Sequence, residues 1–137
     1  MKNTLVPGVE RAERITVDKE RSITFLGEDM RIYSTPSMVN DMEYACYRLI
    51  QAHLDAGESS VGFHVAADHL GATPVGEEVA IRARVTEVEG RKVFLEIEVH
   101  DAMELVGRGQ HTRVIIDVAR HGKRLQRKIE ALERRRA

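Results

Sequence analysis

The sequence predicts an α+β domain in which a curved antiparallel sheet packs around one long helix, with a short helix closing the chain. Three observations carry that expectation. Apolar residues recur at helical spacing over residues 36–56, four later segments alternate apolar and polar residues as strands do, and the connections between them are short. At 137 residues and 42% apolar content, with no internal repeat or low-complexity tract, residues 1–137 form a single domain. It is large enough for a core, yet near the size at which self-association helps to bury apolar surface.

The helix is the clearest element. Met38, Met42, Ala45, Cys46, Leu49, Ile50 and His53 form one stripe, and Asn40, Asp41, Tyr44, Arg48 and Gln51 fill the other side. Thr35 before Pro36 is a start signal, because a hydroxyl caps an exposed backbone amide and proline forfeits only an unpaired donor. Ala56 and Gly57 end the pattern.

Strands follow. Val61, Phe63, Val65 and Ala67 alternate, then Val79, Ile81, Ala83 and Val85, then Val93, Leu95, Ile97 and Val99. Glu89-Gly90-Arg91 between the last two sets is a hairpin turn. Residues 105–118 supply another long strand, where Gly107 and Gly109 permit a bend or a close backbone approach. Residues 13–17 and 22–25 are weaker strand candidates. Two copies aligning their sheets edge to edge would protect one edge strand each and create clefts at the interface.

Composition excludes several classes of protein. No stretch approaches the roughly 20 apolar residues of a membrane span, and MKNTLVPGVERAER lacks the apolar block of a signal peptide, so a soluble cytoplasmic protein is expected. Cys46 is the only cysteine, which forbids an intrachain disulfide and marks it as a small buried packing residue. No His-x-x-x-His pair lies beside a helical carboxylate and no Gly-x-x-x-x-Gly-Lys-Ser/Thr occurs, so neither a zinc hydrolase nor a phosphate-loop enzyme is indicated, and no metal or cofactor is expected.

The formal net charge of -1 conceals an asymmetry. Residues 120–137 hold eight Lys or Arg against two Glu, while the preceding residues carry 13 basic and 20 acidic side chains. Leu125, Ile129 and Leu132 give that tail the pattern of an amphipathic helix pinned to the body by one apolar stripe. Its other reading is a basic patch for the phosphates of a nucleotide-bearing ligand; nucleic acid is the weaker alternative.

Three side chains suggest chemistry. Glu43 lies one turn from Val39 on the border of the apolar stripe, where a carboxylate loses part of its water shell and becomes a stronger base or nucleophile. His69 continues the inward register of Val61, Phe63, Val65 and Ala67 and points to the helix side at the end of its strand. Thr35 stands at the helix start. Each has an ordinary structural reading as well: surface ion pair, satisfied histidine and helix cap.

Their arrangement resembles a known family. Thr35 followed eight residues later by Glu43, then His69-Leu70-Gly71-Ala72-Thr73-Pro74-Val75-Gly76, then His100-Asp101 and Gly107-Arg108-Gly109-Gln110-His111-Thr112-Arg113, is similar to the hotdog-fold thioesterases of the fluoroacetyl-coenzyme A branch, over about residues 36–117. The resemblance implies a hotdog fold, a homodimer and hydrolysis of acyl-coenzyme A thioesters. It also implies that Thr35, Glu43 and His69 are catalytic and that Gly62 and Arg113 line the acyl pocket. One departure stands out: residues 26–34, LGEDMRIYS, are several residues shorter than the family's lid and lack its pair of phenylalanines.

Thioester hydrolysis needs no metal, since the carbonyl is already electrophilic and the protein must position it, supply a nucleophile and hold the oxyanion. Glu43 would attack it or activate water, His69 would move a proton near neutral pH, and amides at the helix start would hold the oxyanion. A non-catalytic acyl-coenzyme A binding module, and a dehydratase or isomerase acting on the acyl chain, are the alternatives on the same fold.

Overall fold

The structure is a computed structural model describing residues 1–137. In chain order it contains β1 (Glu10–Thr16), β2 (Ser22–Ile23), a single 3-10 turn (Glu28–Met30), β3 (Ile32–Tyr33), α1 (Thr35–Gln51), β4 (Glu58–His69), β5 (Glu78–Glu89), β6 (Lys92–His100), β7 (Leu105–Asp117) and α2 (Val118–Arg136). Five strands pair antiparallel in the order β1-β5-β6-β7-β4, and β2 pairs with β3 apart from them. With α1 embraced by the sheet, this is the hotdog arrangement implied by the resemblance. No helix is long and apolar enough to cross a membrane.

The core lies between α1 and the sheet. Met38, Met42, Ala45, Cys46 and Ile50 are wholly buried against Val79, Ile81, Ala83, Val85, Val93 and Val99. Burial pushes the Cys46 thiol up to about 12, which fits an inert packing residue. Gly107 lets the helix settle this close, and Gly109 leaves room for the backbone of the neighbouring strand β4. A Cβ on Gly107 would stand 2.5 Å from Met38 Sδ, and one on Gly109 would stand 2.9 Å from the Ala66 carbonyl. Gly90 turns the β5–β6 hairpin at φ 62°, a conformation that favours glycine.

Both ends of α1 depart from expectation. Its cap is Ser34, whose Oγ accepts from the Ser37 amide at 3.1 Å, so Thr35 is already helical and its hydroxyl is released for other work. The helix stops at Gln51 rather than residue 56, because the N-terminal segment captures the chain there: the Lys2 amide donates to the His53 carbonyl at 2.8 Å, and Leu54 turns into the core.

A bulge changes the register of β4. Gly62 pairs with Arg113 but His64 pairs with Thr112, so Phe63 is an extra residue and the side-chain alternation reverses across it. Ser60 and Gly62 face α1 before the bulge; Val65, Ala67 and His69 face it afterwards. The expected inward run therefore holds for its last three members and fails for Val61 and Phe63, the latter being 63% exposed. Uniform period-2 reasoning has no means of placing an inserted residue.

The C-terminal helix also differs. Asp117 caps it by accepting from the Arg120 amide at 2.9 Å, but none of its residues is buried. Leu125, Ile129 and Leu132 remain exposed, so the stripe does not pin the helix to the body.

Candidate active site

The site is built where the end of β4 meets the start of α1. His69 is the last residue of β4 and Thr35 the first of α1, and Thr35 Oγ1 lies 2.8 Å from His69 Nδ1. This contact exists because Ser34, not Thr35, caps the helix. The other imidazole nitrogen, Nε2, is buried and unpartnered, which is costly unless a ligand or water meets it. Burial holds His69 below the ordinary histidine value, against a smaller opposing effect of the Gly71 backbone. Burial thus favours the neutral imidazole, whose Nε2 has no partner in the chain.

Tyr33 braces the ring. It stands edge-on to His69 with centroids 6.1 Å apart and is itself wholly buried. Its hydroxyl donates to Asp41 Oδ2 at 2.6 Å, and Arg21 grips the same carboxylate through Nε at 3.0 Å and Nη2 at 3.2 Å. Burial, followed by the Asp41 hydrogen bond, raises the Tyr33 phenol well above its usual value, so it remains a donor. A charge-assisted network thus ties α1 to the segment before it and fixes the floor of the histidine.

Glu43 lies elsewhere in the same chain. At 1.5 Å rise per residue it is about 12 Å along α1 from Thr35, too far to join the Thr35–His69 pair directly. It is half-buried and borders two adjoining cavities, one of about 480 Å³ shared with Asn40, Tyr44, Tyr47, Ser60 and Arg113 and one of about 400 Å³ shared with Gly62, His64, Val65 and His111. One chain therefore brings Thr35 and His69 together and leaves Glu43 apart from them.

Gly62 and Arg113 do meet Glu43's cavities. A Cβ on Gly62 would sit 3.5 Å from His111 Cε1 and 3.7 Å from Arg113 Nη1, so any larger side chain would occupy the space between sheet and helix. Arg113 is buried and donates through Nε to Ser60 Oγ at 2.8 Å and through Nη2 to the Ser60 carbonyl at 2.9 Å. Its Nη1 lies 3.1 Å from His111 Nε2, and its guanidinium stacks 5.6 Å from the Tyr47 ring centroid. Burial lowers the arginine below its usual value.

His111, Ser60 and Tyr47 were not anticipated. His111 Nδ1 donates to the His64 carbonyl at 2.7 Å, which leaves Nε2 to accept from Arg113 and fixes the tautomer; burial holds this histidine low too. A signal for it was present, because Gly107, Gly109, His111 and Arg113 alternate onto one face of β7. Ser60 carried no such signal, since the bulge hides its inward direction.

Two exposed features border this region. β4 is an edge strand of the sheet, with Phe63 and Val65 partly bare to solvent. The short segment before α1 leaves Phe25 87%, Leu26 56% and Met30 59% exposed, and it contains only the 3-10 turn that ends at Met30 and the two-residue strand β3.

Comparison with known proteins bears on the fold and the family. The model of the family described as "Fluoroacetyl-CoA-specific thioesterase" matches residues 17–119. The fluoroacetyl-CoA thioesterase of Streptantibioticus cattleyicolor is 33% identical over 100 residues, covering 73% of this chain and 72% of that protein. A thioesterase superfamily member from Thermus thermophilus superposes with a TM-score of 0.85 at 31% identity, over 93% of this chain and 95% of that one. A variant of the fluoroacetyl-CoA-specific thioesterase solved with fluoroacetate and CoA superposes at 0.76 with 29% identity, over 84% and 98% of the two chains.

Proposed function

This chain belongs to the fluoroacetyl-CoA-specific thioesterase family, and on that premise we propose that it hydrolyses an acyl-CoA thioester to the free acid and CoA at a site made by Thr35, Glu43 and His69 across a dimer interface. The observation that supports this most strongly is the Thr35–His69 hydrogen bond beside an unpartnered buried Nε2. A desolvated polar atom with no partner in the chain is one that a ligand or a water can complete.

The dimer reading rests on separation and edge. Glu43 has no route to His69 within its own chain, whereas β4 offers an unpaired strand edge. Two copies joined antiparallel through β4 about a two-fold axis run their α1 helices in opposite directions. Glu43 of one copy then approaches Thr35 and His69 of the other.

Chemistry follows from these placements. Glu43 attacks the thioester carbonyl to form an acid anhydride, or removes a proton from the water that attacks it. On the first route the C–S bond breaks as the anhydride forms, and water then splits the anhydride, freeing the acid and restoring Glu43; on the second, water's oxygen adds to the acyl carbon and the C–S bond breaks. The departing thiolate takes up the proton that water gives up, carried by His69 Nε2. The helix start supplies less than its dipole suggests, because Pro36 has no amide hydrogen and the Ser37 and Met38 amides are bound to Ser34. Oxyanion stabilisation falls to the Thr35 amide and hydroxyl. Gly62 and Arg113 shape the acyl pocket beside Glu43.

The test is release of free thiol from short, branched, aromatic and long-chain acyl-CoA esters. Thiol release with one or more of them supports hydrolysis, while change of the acyl chain without thiol release, or binding alone, refutes it.

A further inference from the structure

The family match ends at residue 119, immediately before the most highly charged part of the molecule. Eight Lys and Arg side chains follow in residues 120–137, and none of them pairs with a carboxylate. The first of them are exposed, yet two of them border a concavity. Arg120, His121 and Arg124 share a cavity of about 450 Å³ with Arg91 from the β5–β6 turn and with Glu58 and Asp117.

Both carboxylates there are already engaged. Glu58 bonds the N-terminal ammonium of Met1 and accepts from Arg91 Nη2 at 3.2 Å, and Asp117 accepts from the Arg120 amide at 2.9 Å. Arg91 is held in place by its Nε, which donates to the Ile115 carbonyl at 2.9 Å. The guanidinium groups of Arg120 and Arg124 remain uncommitted at a concave surface where Glu58 is ion-paired and Asp117 is held by a backbone amide. Planar guanidinium pairs in such a setting fit phosphate oxygens, with two parallel donors each.

We propose that this cavity seats the nucleotide end of CoA, with Arg120 and Arg124 on its phosphates and Arg91 and His121 beside them. Its position decides which half of the catalytic site it serves. Glu58 at the cavity is four strand residues, about 14 Å, from Gly62 in the Glu43 pocket, but about 35 Å of β4 separates it from His69. A pantetheine arm therefore runs from the α2 foot to the Glu43 end of the same protomer. This inference rests on the hydrolase reading above, and it divides each site: Glu43, Arg113 and the nucleotide seat from one copy, Thr35 and His69 from its partner.

The experiment compares kcat/KM for one acyl-CoA with that for the same acyl group on pantetheine, which lacks the nucleotide. In Arg120→Ala with Arg124→Ala the ratio of the two falls by about tenfold or more, the loss of at least one charge-assisted phosphate contact. The comparison variant Lys128→Ala with Arg134→Ala removes the same charge farther along α2 and moves the ratio far less. An unchanged ratio in the first variant, or an equal fall in both, overturns the proposal. Titration with adenosine 3′,5′-bisphosphate is independent of turnover. Saturable binding that the first variant weakens supports the seat even if no thioester is hydrolysed, and absence of saturable binding, or equal competition by inorganic phosphate, overturns it.

Discussion

Thr35 Oγ1 and His69 Nδ1 meet at 2.8 Å, joining the first residue of α1 to the last of β4. The bond depends on a division of labour between adjacent hydroxyls: Ser34 caps the helix and frees Thr35 for the histidine. With Nδ1 occupied and Nε2 unpartnered, the imidazole is aimed as well as held.

Glu43→Ala removes the nucleophile or base and lowers kcat by at least about 100-fold, with the cooperative melting transition preserved because the side chain has no ion pair in the chain. Steady-state kinetics on the best thioester measure it. Hydrolysis near the parent rate would refute the assignment.

Thr35→Ala and His69→Ala each depress kcat, and the double variant is hardly worse than His69→Ala alone, since a hydroxyl that orients the imidazole has nothing left to orient. Fully additive losses would show that the two act separately.

Mixing Glu43→Ala with His69→Ala tests the interface itself. After subunit exchange, random assortment yields heterodimers with one intact site, and activity returns to about one quarter of the parent level. Sedimentation of the parent chain gives a dimer at micromolar concentration. A monomer, or a mixture that stays inactive after proven exchange, would remove the cross-protomer site.

The pH dependence has a definite sign. His69 and His111 are both held below the ordinary histidine value by burial, so the unfolded chain binds protons that the folded chain refuses. Their contribution to stability is present above the unfolded value of about 6.5 and is lost as pH falls from there toward the folded values. The acid limit of kcat/KM likewise lies below about 6.5, because the neutral form of His69 carries the proton. A pH profile inflecting above that value would contradict the buried, neutral imidazole.

Acyl preference is the remaining prediction. Rejection of acetyl in favour of fluoroacetyl requires a closed, dry pocket, whereas the segment before α1 is short and leaves Phe25, Leu26 and Met30 exposed. Some ordinary acyl-CoA is therefore hydrolysed with higher kcat/KM than the fluoroacetyl thioester. A matched panel decides it, and a hundredfold preference for fluoroacetyl-CoA over acetyl-CoA would overturn the expectation.

Local chemistry written in the sequence determined the α+β class, the four long strands, the Gly90 turn and the burial of Cys46, because side-chain periodicity and glycine conformations act over a few residues. It also marked Thr35, Glu43, His69, Gly62 and Arg113 through a motif whose order and spacing are linear properties. Tertiary structure decided the rest. Whether Ser34 or Thr35 caps α1 depends on what waits for the freed hydroxyl, and His69 arrives from a strand 34 residues away. The bulge at Phe63 arises from pairing with β7 and turns Ser60 inward, out of reach of any period-2 rule. The separation of Glu43 from His69, and the exposure of a stripe on α2 that the sequence alone suggests is packed, follow from where the helices end up relative to the sheet. Spacing along a chain names residues of one kind of chemistry; only the fold sets the distances between them.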